Sequence, residues 1–293
     1  MAMSQRGEPG PTTTNSLRPG RALIGWMAPQ AAARFLSGRP SGTQPTTDEQ
    51  ARLERARAAV AARPEGVAQD GMVAPLPAEL NQHVAQLREL AGHLFDLGWQ
   101  PAMVDLSRVC AFQPVVCTDD LHQRMAGLVR ESLASLADIT FPLGPTPEYQ
   151  TSFDPSRNAW LLSSPDPNLQ VTTRFTGGPP PSLPHVRIYG FHVAMSRSVM
   201  EVGRYEGRWY LRDGYHRALA LLRRGVRWVP SLVREFTELE KLLPSGMLPP
   251  AVFLGSRPPL LTSYLDDAVS ADVMVTPQRK LIVLQATELR LNV

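Results

Sequence analysis

Two cysteines, two lysines and six histidines among 293 residues leave little room for several common chemistries. Cys110 and Cys117 are too few for a disulfide scaffold and point to a reducing compartment. The histidines are scattered, without zinc-ligand spacing. Neither Lys241 nor Lys280 follows a glycine-rich loop, which excludes a Walker-type phosphate site built on lysine. No apolar run approaches the roughly eighteen residues of a membrane span. The opening, MAMSQRGEPGPTTTNS, has no apolar signal core, so a soluble, cytoplasmic protein without membrane contact is expected.

Proline and arginine are plentiful instead. The 28 prolines gather in the first fifty residues, in Pro179-Pro180-Pro181 and in Leu248-Pro249-Pro250, and they signal loops and a tail. Net charge is +3, but residues 204 to 234 hold eight arginines against Glu206 and Asp213, a local +6. Such a concentration suits a phosphate-bearing partner; a solvated, arginine-rich helix face is the alternative.

Composition divides the chain into three. Residues 1–47, rich in Pro, Gly, Ser and Thr, read as a flexible, disordered tail carrying one apolar patch, Ala22 to Leu36. Residues 48–136 read as a helical region. Its first helix, TDEQARLERARAAVAA, starts at Thr47-Asp48-Glu49 and ends at Arg63-Pro64. Its second runs from Ala78 to Leu97, with Leu80, Val84, Leu87, Leu90 and Leu94 on one face and His83 and His93 as packing or surface residues. One or two short strands fit Ala102 to Val116, and a third helix fits Asp119 to Leu136. Residues 137–293 change to strands and turns, a mixed α/β texture with a C-terminal extension ending in the strand KLIVLQATELRLNV.

One stretch carries chemistry, RWYLRDGYHRALALLRRGVRWVP. VMEVGRY and RWYLRD form a hairpin turning at Glu206-Gly207, with Trp209 and Leu211 on one face and Arg208, Tyr210 and Arg212 on the other. HRALALLRR is helical and Gly225 ends it. The turn Asp213, Gly214, Tyr215, His216, Arg217 therefore lies where a strand becomes a helix, with unpaired backbone N–H groups and the positive end of the helix dipole. Read as a site, it binds an oxyanion or phosphate, with Arg204, Arg208 and Arg212 in support. Read as structure, Asp213 caps and Gly214 turns.

The run YLRDGYHRALALLRRGVRWVPSLV resembles the ParB/sulfiredoxin superfamily over Val199 to Val233, about 35 residues. The resemblance implies an α/β (α+β) fold, a small mixed sheet in which this turn holds the phosphates of ATP or CTP with Mg²⁺. By position, Gly214, His216 and Arg217 match the family's phosphate turn and Pro230 its strand opening. Sulfiredoxins place their reactive cysteine after the glycine, where this chain has Tyr215, so sulfinic acid reduction is disfavoured. The chromosome-partitioning branch has glutamate there and a following DNA-recognition helix, and neither is found. A third branch phosphorylates serine and would need a carboxylate base, for which Asp213, Glu201 or Asp266-Asp267 are available.

Other groups are weaker. Asp266, Asp267 and Asp272 form a candidate magnesium cluster, or else a loop. Cys110, Cys117 and His122 form a candidate thiol pair without a third group. Thr176-Gly177-Gly178 reads as a turn before a phosphate loop, and His192 as a strand residue. The sequence thus predicts a nucleotide-phosphate-binding protein, with phosphotransfer or nucleotide hydrolysis as the reaction classes. The alternative is a non-catalytic module whose basic hairpin and helix bind an acidic protein or nucleic acid.

Overall fold

The computed structural model describes residues 17–37, 45–119, 132–166, 168–178, 188–243, 246–276 and 279–288. It is mixed α/β, with seven described helices and several small sheets. Most of the expected helix Asp119 to Leu136, His122 and the proline run 179–181 lie outside these residues, as do the ends of both termini.

In chain order the elements are β1 (Arg18–Ala22), α1 (Pro29–Ser37), α2 (Thr47–Ala61), β2 (Val73–Pro75), α3 (Asn81–Asp96), β3 (Gln100–Asp105), β4 (Val115–Cys117) and α4 (Leu133–Thr140). There follow β5 (Gln150–Asp154), β6 (Ala159–Ser164), β7 (Leu169–Gly177), β8 (Ile188–Met195), β9 (Glu201–Tyr205), β10 (Arg208–Asp213) and α5 (Tyr215–Arg223). The last are β11 (Trp228–Glu235), α6 (Leu239–Leu242), α7 (Pro250–Phe253), β12 (Ala271–Val275) and β13 (Lys280–Gln285).

A five-stranded sheet in the order β10-β9-β11-β3-β2 forms the centre. Glu206 and Gly207, at φ 47° and 78°, turn β9 into β10, the left-handed pair that a two-residue hairpin requires. Helix α5 then leads to β11, which pairs parallel to β9 and antiparallel to β3. Pro230 lacks an N–H, and this inner strand tolerates it because pairing to β9 starts only at Leu232. Gly225, at φ 75°, ends α5: its N–H reaches the Leu222 carbonyl and that of Val226 the Leu221 carbonyl, closing both free carbonyls.

Tertiary pairing revises the three-part division. Within the expected flexible tail, β1 is the middle strand of a β12-β1-β4 sheet, and Ala22, Leu23, Ile24, Trp26 and Met27 are buried. Arg21 is buried too, donating to the Tyr264 carbonyl, to Asp267 and to Asp272. Proline and glycine counts suggested a tail, but six consecutive buried apolar or small residues, Ala22 to Met27, outweigh them. The expected helical region also contains β2, which was not expected, while β3 and β4 overlap the strands expected over Ala102 to Val116, and β3 shares the central sheet with the hairpin. Residue 137 is no boundary, since it lies inside α4, whose Thr140 carbonyl accepts from the Met200 N–H.

Two helices match their sequence signals with small shifts. Thr46 and Glu49 close a capping box at the start of α2, one residue before the expected start. On α3, Val84, Leu87, Ala91 and Leu94 are buried while Leu90 is exposed, so the true stripe rotates toward the small Ala91. Beyond the central sheet, β5, β6 and β13 form a three-stranded sheet in the order β13-β6-β5, and β7 and β8 a separate two-stranded ribbon.

Candidate functional site

The turn after β10 is built on Gly214, whose φ of 99° is open to glycine at little cost. Gly214 stands at the N-cap of α5 and offers no side chain to cap it. Asp213 does not reach into the helix; its Oδ1 accepts from the Gly214 N–H at 2.6 Å and its Oδ2 from the Ser198 hydroxyl at 2.9 Å. Arg217 completes the arrangement. It is buried, and its guanidinium donates to the Ser198 carbonyl at 2.9 Å, the Ser198 hydroxyl at 2.8 Å and the Ile139 carbonyl at 3.3 Å, with Asp213 Oδ2 3.8 Å away.

This cluster borders a cleft of about 480 Å³, lined among others by Asp138, Ile139, Asp166, Arg197, Ser198 and Arg217. That volume lies within the ~300–1,000 Å³ of small-ligand sites. Arg197 donates to the Pro142 carbonyl at 2.9 Å and to the Gly144 carbonyl, fixing the loop that forms the far wall. Its Nε is buried with no partner among the described residues. Two arginines and two aspartates therefore share one opening beside the first turn of α5.

The structure brings Asp213, Gly214 and Arg217 together and separates the rest. Tyr215 turns into the core, where it packs against the rings of Phe112 and Tyr264. Its hydroxyl accepts from the N–H groups of Phe112 and Gln113, at 3.1 and 3.4 Å, and burial pushes its ionisation up. An aromatic side chain at the first helical position gains more by filling the core than by facing solvent. Tyr215 is thus part of the packing and not of the cleft. His216 is half-buried, and it is not among the residues lining the cleft.

The three supporting arginines hold the fold. Arg204 stacks over Trp209 and lies 3.7 Å from Glu235; Arg208 donates to the carbonyls of Leu254 and Gly255 at 2.9 and 2.7 Å. Arg212 pairs with Glu201 and lies over the Trp99 ring. The hairpin faces are not divided as expected either, because Tyr210 and Leu211 are both fully buried in a sheet covered on its two sides. Arg223, Arg224 and Arg227 are exposed at the other end of α5, where cations complement the dipole. The sequence concentration of charge is therefore not one surface patch.

Glu201 is the carboxyl with the largest departure. Burial pushes it up to about 7, Asp213 adds to the rise, and Arg212 and Arg217 oppose it. The magnesium candidates Asp266, Asp267 and Asp272 are taken by arginines, the first by Arg63 and the other two by Arg21. Among the described residues no cluster of three histidine, cysteine or carboxylate side chains is arranged to hold a metal. Burial raises the Cys110 thiol to about 12, which leaves it an inert core residue.

Ser198, Arg197 and the 138–147 segment were not read from the sequence. Ser198 stands three residues before β9 in MSRSVM, a string with no motif, and only the fold brings it to Arg217. Comparison with protein-family models, with curated proteins and with solved structures returned no match. No described helix is long and apolar enough to cross a membrane.

Proposed function

We propose that the cleft beside the 213–217 turn binds the phosphates of a nucleotide, ATP or CTP with Mg²⁺, in the manner of a ParB/sulfiredoxin-type domain. The observation that supports this most is the first turn of α5, with glycine at its N-cap, beside a cleft lined by Arg197, Ser198 and Arg217. The helix dipole favours negative charge there, and an arginine with an unpartnered buried Nε among the described residues adds a directional donor. Such a protein would work in the cytoplasm, where nucleotides are available.

Phosphotransfer or nucleotide hydrolysis would need a base beside the bound phosphate. Asp213 is the carboxylate nearest the turn, but both its oxygens are engaged by Gly214 and Ser198. The alternative, a basic module for an acidic protein or nucleic acid, has less support because Arg204, Arg208 and Arg212 are held by internal partners.

The test is thermal unfolding and titration calorimetry with ATP, CTP, GTP and inorganic phosphate, with and without Mg²⁺, for the wild type and Arg197→Leu. A nucleotide at a hundred times its Kd stabilises by about 2.7 kcal/mol. One nucleotide should raise the Tm of the wild type, and Arg197→Leu should weaken its binding at least tenfold while staying folded. Absence of heat and of a Tm shift with every nucleotide would refute the proposal.

A further inference from the structure

The cleft beside the 213–217 turn holds a hydroxyl already hydrogen-bonded to a carboxylate. Among the described residues, the hydroxyl side chains that line it are Ser198 and Thr146. Thr146 stands exposed on the loop of the far wall. The Ser198 hydroxyl donates to Asp213 Oδ2 at 2.9 Å, within the ~2.6–3.2 Å reach of a general base. Arg217 donates to the same serine oxygen at 2.8 Å. A serine hydroxyl has a single proton and two lone pairs. Asp213 holds the proton and Arg217 one lone pair, so the second lone pair is the one left to attack.

The groups around this serine are fixed before any ligand arrives. Asp213 is held through its Oδ1, which accepts from the Gly214 N–H at 2.6 Å. Arg217 is buried and anchored on the Ser198 and Ile139 carbonyls. A donor so fixed favours negative charge developing on Ser198 Oγ and needs no rearrangement to do so. Arg197, the preceding residue, puts a second cation on the cleft wall, where it suits a phosphoryl group. Asp138 and Asp166 line the cleft too and suit Mg²⁺, which takes one or two carboxylates together with phosphate oxygens.

We propose that Ser198 is a phosphoacceptor, and that the protein transfers the γ-phosphoryl group of a bound nucleoside triphosphate to its own Ser198 side chain. The transfer rests on the nucleotide binding proposed above for this cleft, and it names the acceptor. Engagement of Asp213 by Ser198 hinders catalysis on a foreign hydroxyl, but it is the contact that a serine of the same chain requires. Ser198 Oγ bonds to the γ-phosphorus as the bond from that phosphorus to the β,γ-bridging oxygen breaks. The serine proton passes to Asp213 Oδ2, and the electron pair of the broken bond leaves on the nucleoside diphosphate. Nothing is oxidised or reduced. The phosphoserine formed carries its new charge beside Arg217 and Arg197, a pairing that phosphorylated side chains make with arginines.

The test incubates the full chain with Mg²⁺ and ATP or CTP and reads the intact mass and the modified residue by mass spectrometry. Calorimetry with a non-hydrolysable analogue of each nucleotide reads binding separately. The wild type should gain the mass of one phosphoryl group, mapped to Ser198, at a first-order rate that does not change with protein concentration. This measurement needs no variant. Asp213→Asn should slow the gain by at least about a hundredfold, and Ser198→Ala should abolish it. Binding of an analogue without any gain of mass would overturn self-phosphorylation and leave nucleotide binding standing. Neither binding nor gain would overturn both. A phosphoryl group on another residue, a rate that rises with protein concentration, or a folded Asp213→Asn as fast as the wild type would also overturn the transfer to Ser198.

Discussion

Arg217 holds Ser198 twice, through its carbonyl at 2.9 Å and its hydroxyl at 2.8 Å. Ser198 in turn donates to Asp213, so one serine ties the first turn of α5 to the carboxylate that fixes Gly214. The turn is held from the segment before β9, and a change at either end should reach the other.

Arg217→Ala removes these bonds and leaves the Ser198 and Ile139 carbonyls without this donor. Loss of a buried, hydrogen-bonded charge should cost roughly 3 kcal/mol. Ser198→Ala removes one hydroxyl and should cost about 1 kcal/mol. Urea unfolding of the two variants measures the ratio, and equal costs would show that the Ser198 hydroxyl, and not the guanidinium's bonds to the two carbonyls, carries the tie.

Glu201 gives the fold a pH dependence of definite sign. Its carboxyl titrates at about 7 when folded, against an ordinary value of 4.5, because burial favours the neutral form. Its stabilisation is complete below pH 4.5, declines as pH rises toward 7, and then levels off, for a total of roughly 3 kcal/mol. Glu201→Gln should flatten the stability curve over that window. Unfolding free energy measured between pH 5 and 8 in both proteins, at one ionic strength, checks the sign.

Arg21 anchors the N-terminal strand to the far end of the chain. Its side chain is 7% exposed, while its partners Asp267 and Asp272 are 88% and 86% exposed. Arg21→Met should cost about 2–4 kcal/mol, since the Tyr264 carbonyl loses its shorter donor and β1 its side-chain tie to Asp272 on β12. Asp267→Asn should cost under about 1 kcal/mol, the ordinary worth of a solvated ion pair. Comparable costs for the two variants would mean that the exposed carboxylates, and not the buried guanidinium, carry the attachment.

Local signals in the sequence determined the hairpin at Glu206-Gly207, helix α5 and its end at Gly225, because each depends on backbone geometry set by a few adjacent residues. The position of Gly214 at a strand-to-helix turn was legible for the same reason. Which arginines face a cleft was not. Arg204, Arg208, Arg212 and Arg217 look alike in the sequence, but long side chains take whichever carbonyl or carboxylate the fold sets within reach, and only Arg217 among them borders the cleft. Tertiary structure alone placed Arg197 and Ser198 at the site and turned Tyr215 away from it. It also drew Arg18–Ala22 into a sheet whose other strands lie roughly a hundred and two hundred and fifty residues away, because strand pairing satisfies the backbone and buries apolar surface without regard to distance along the chain.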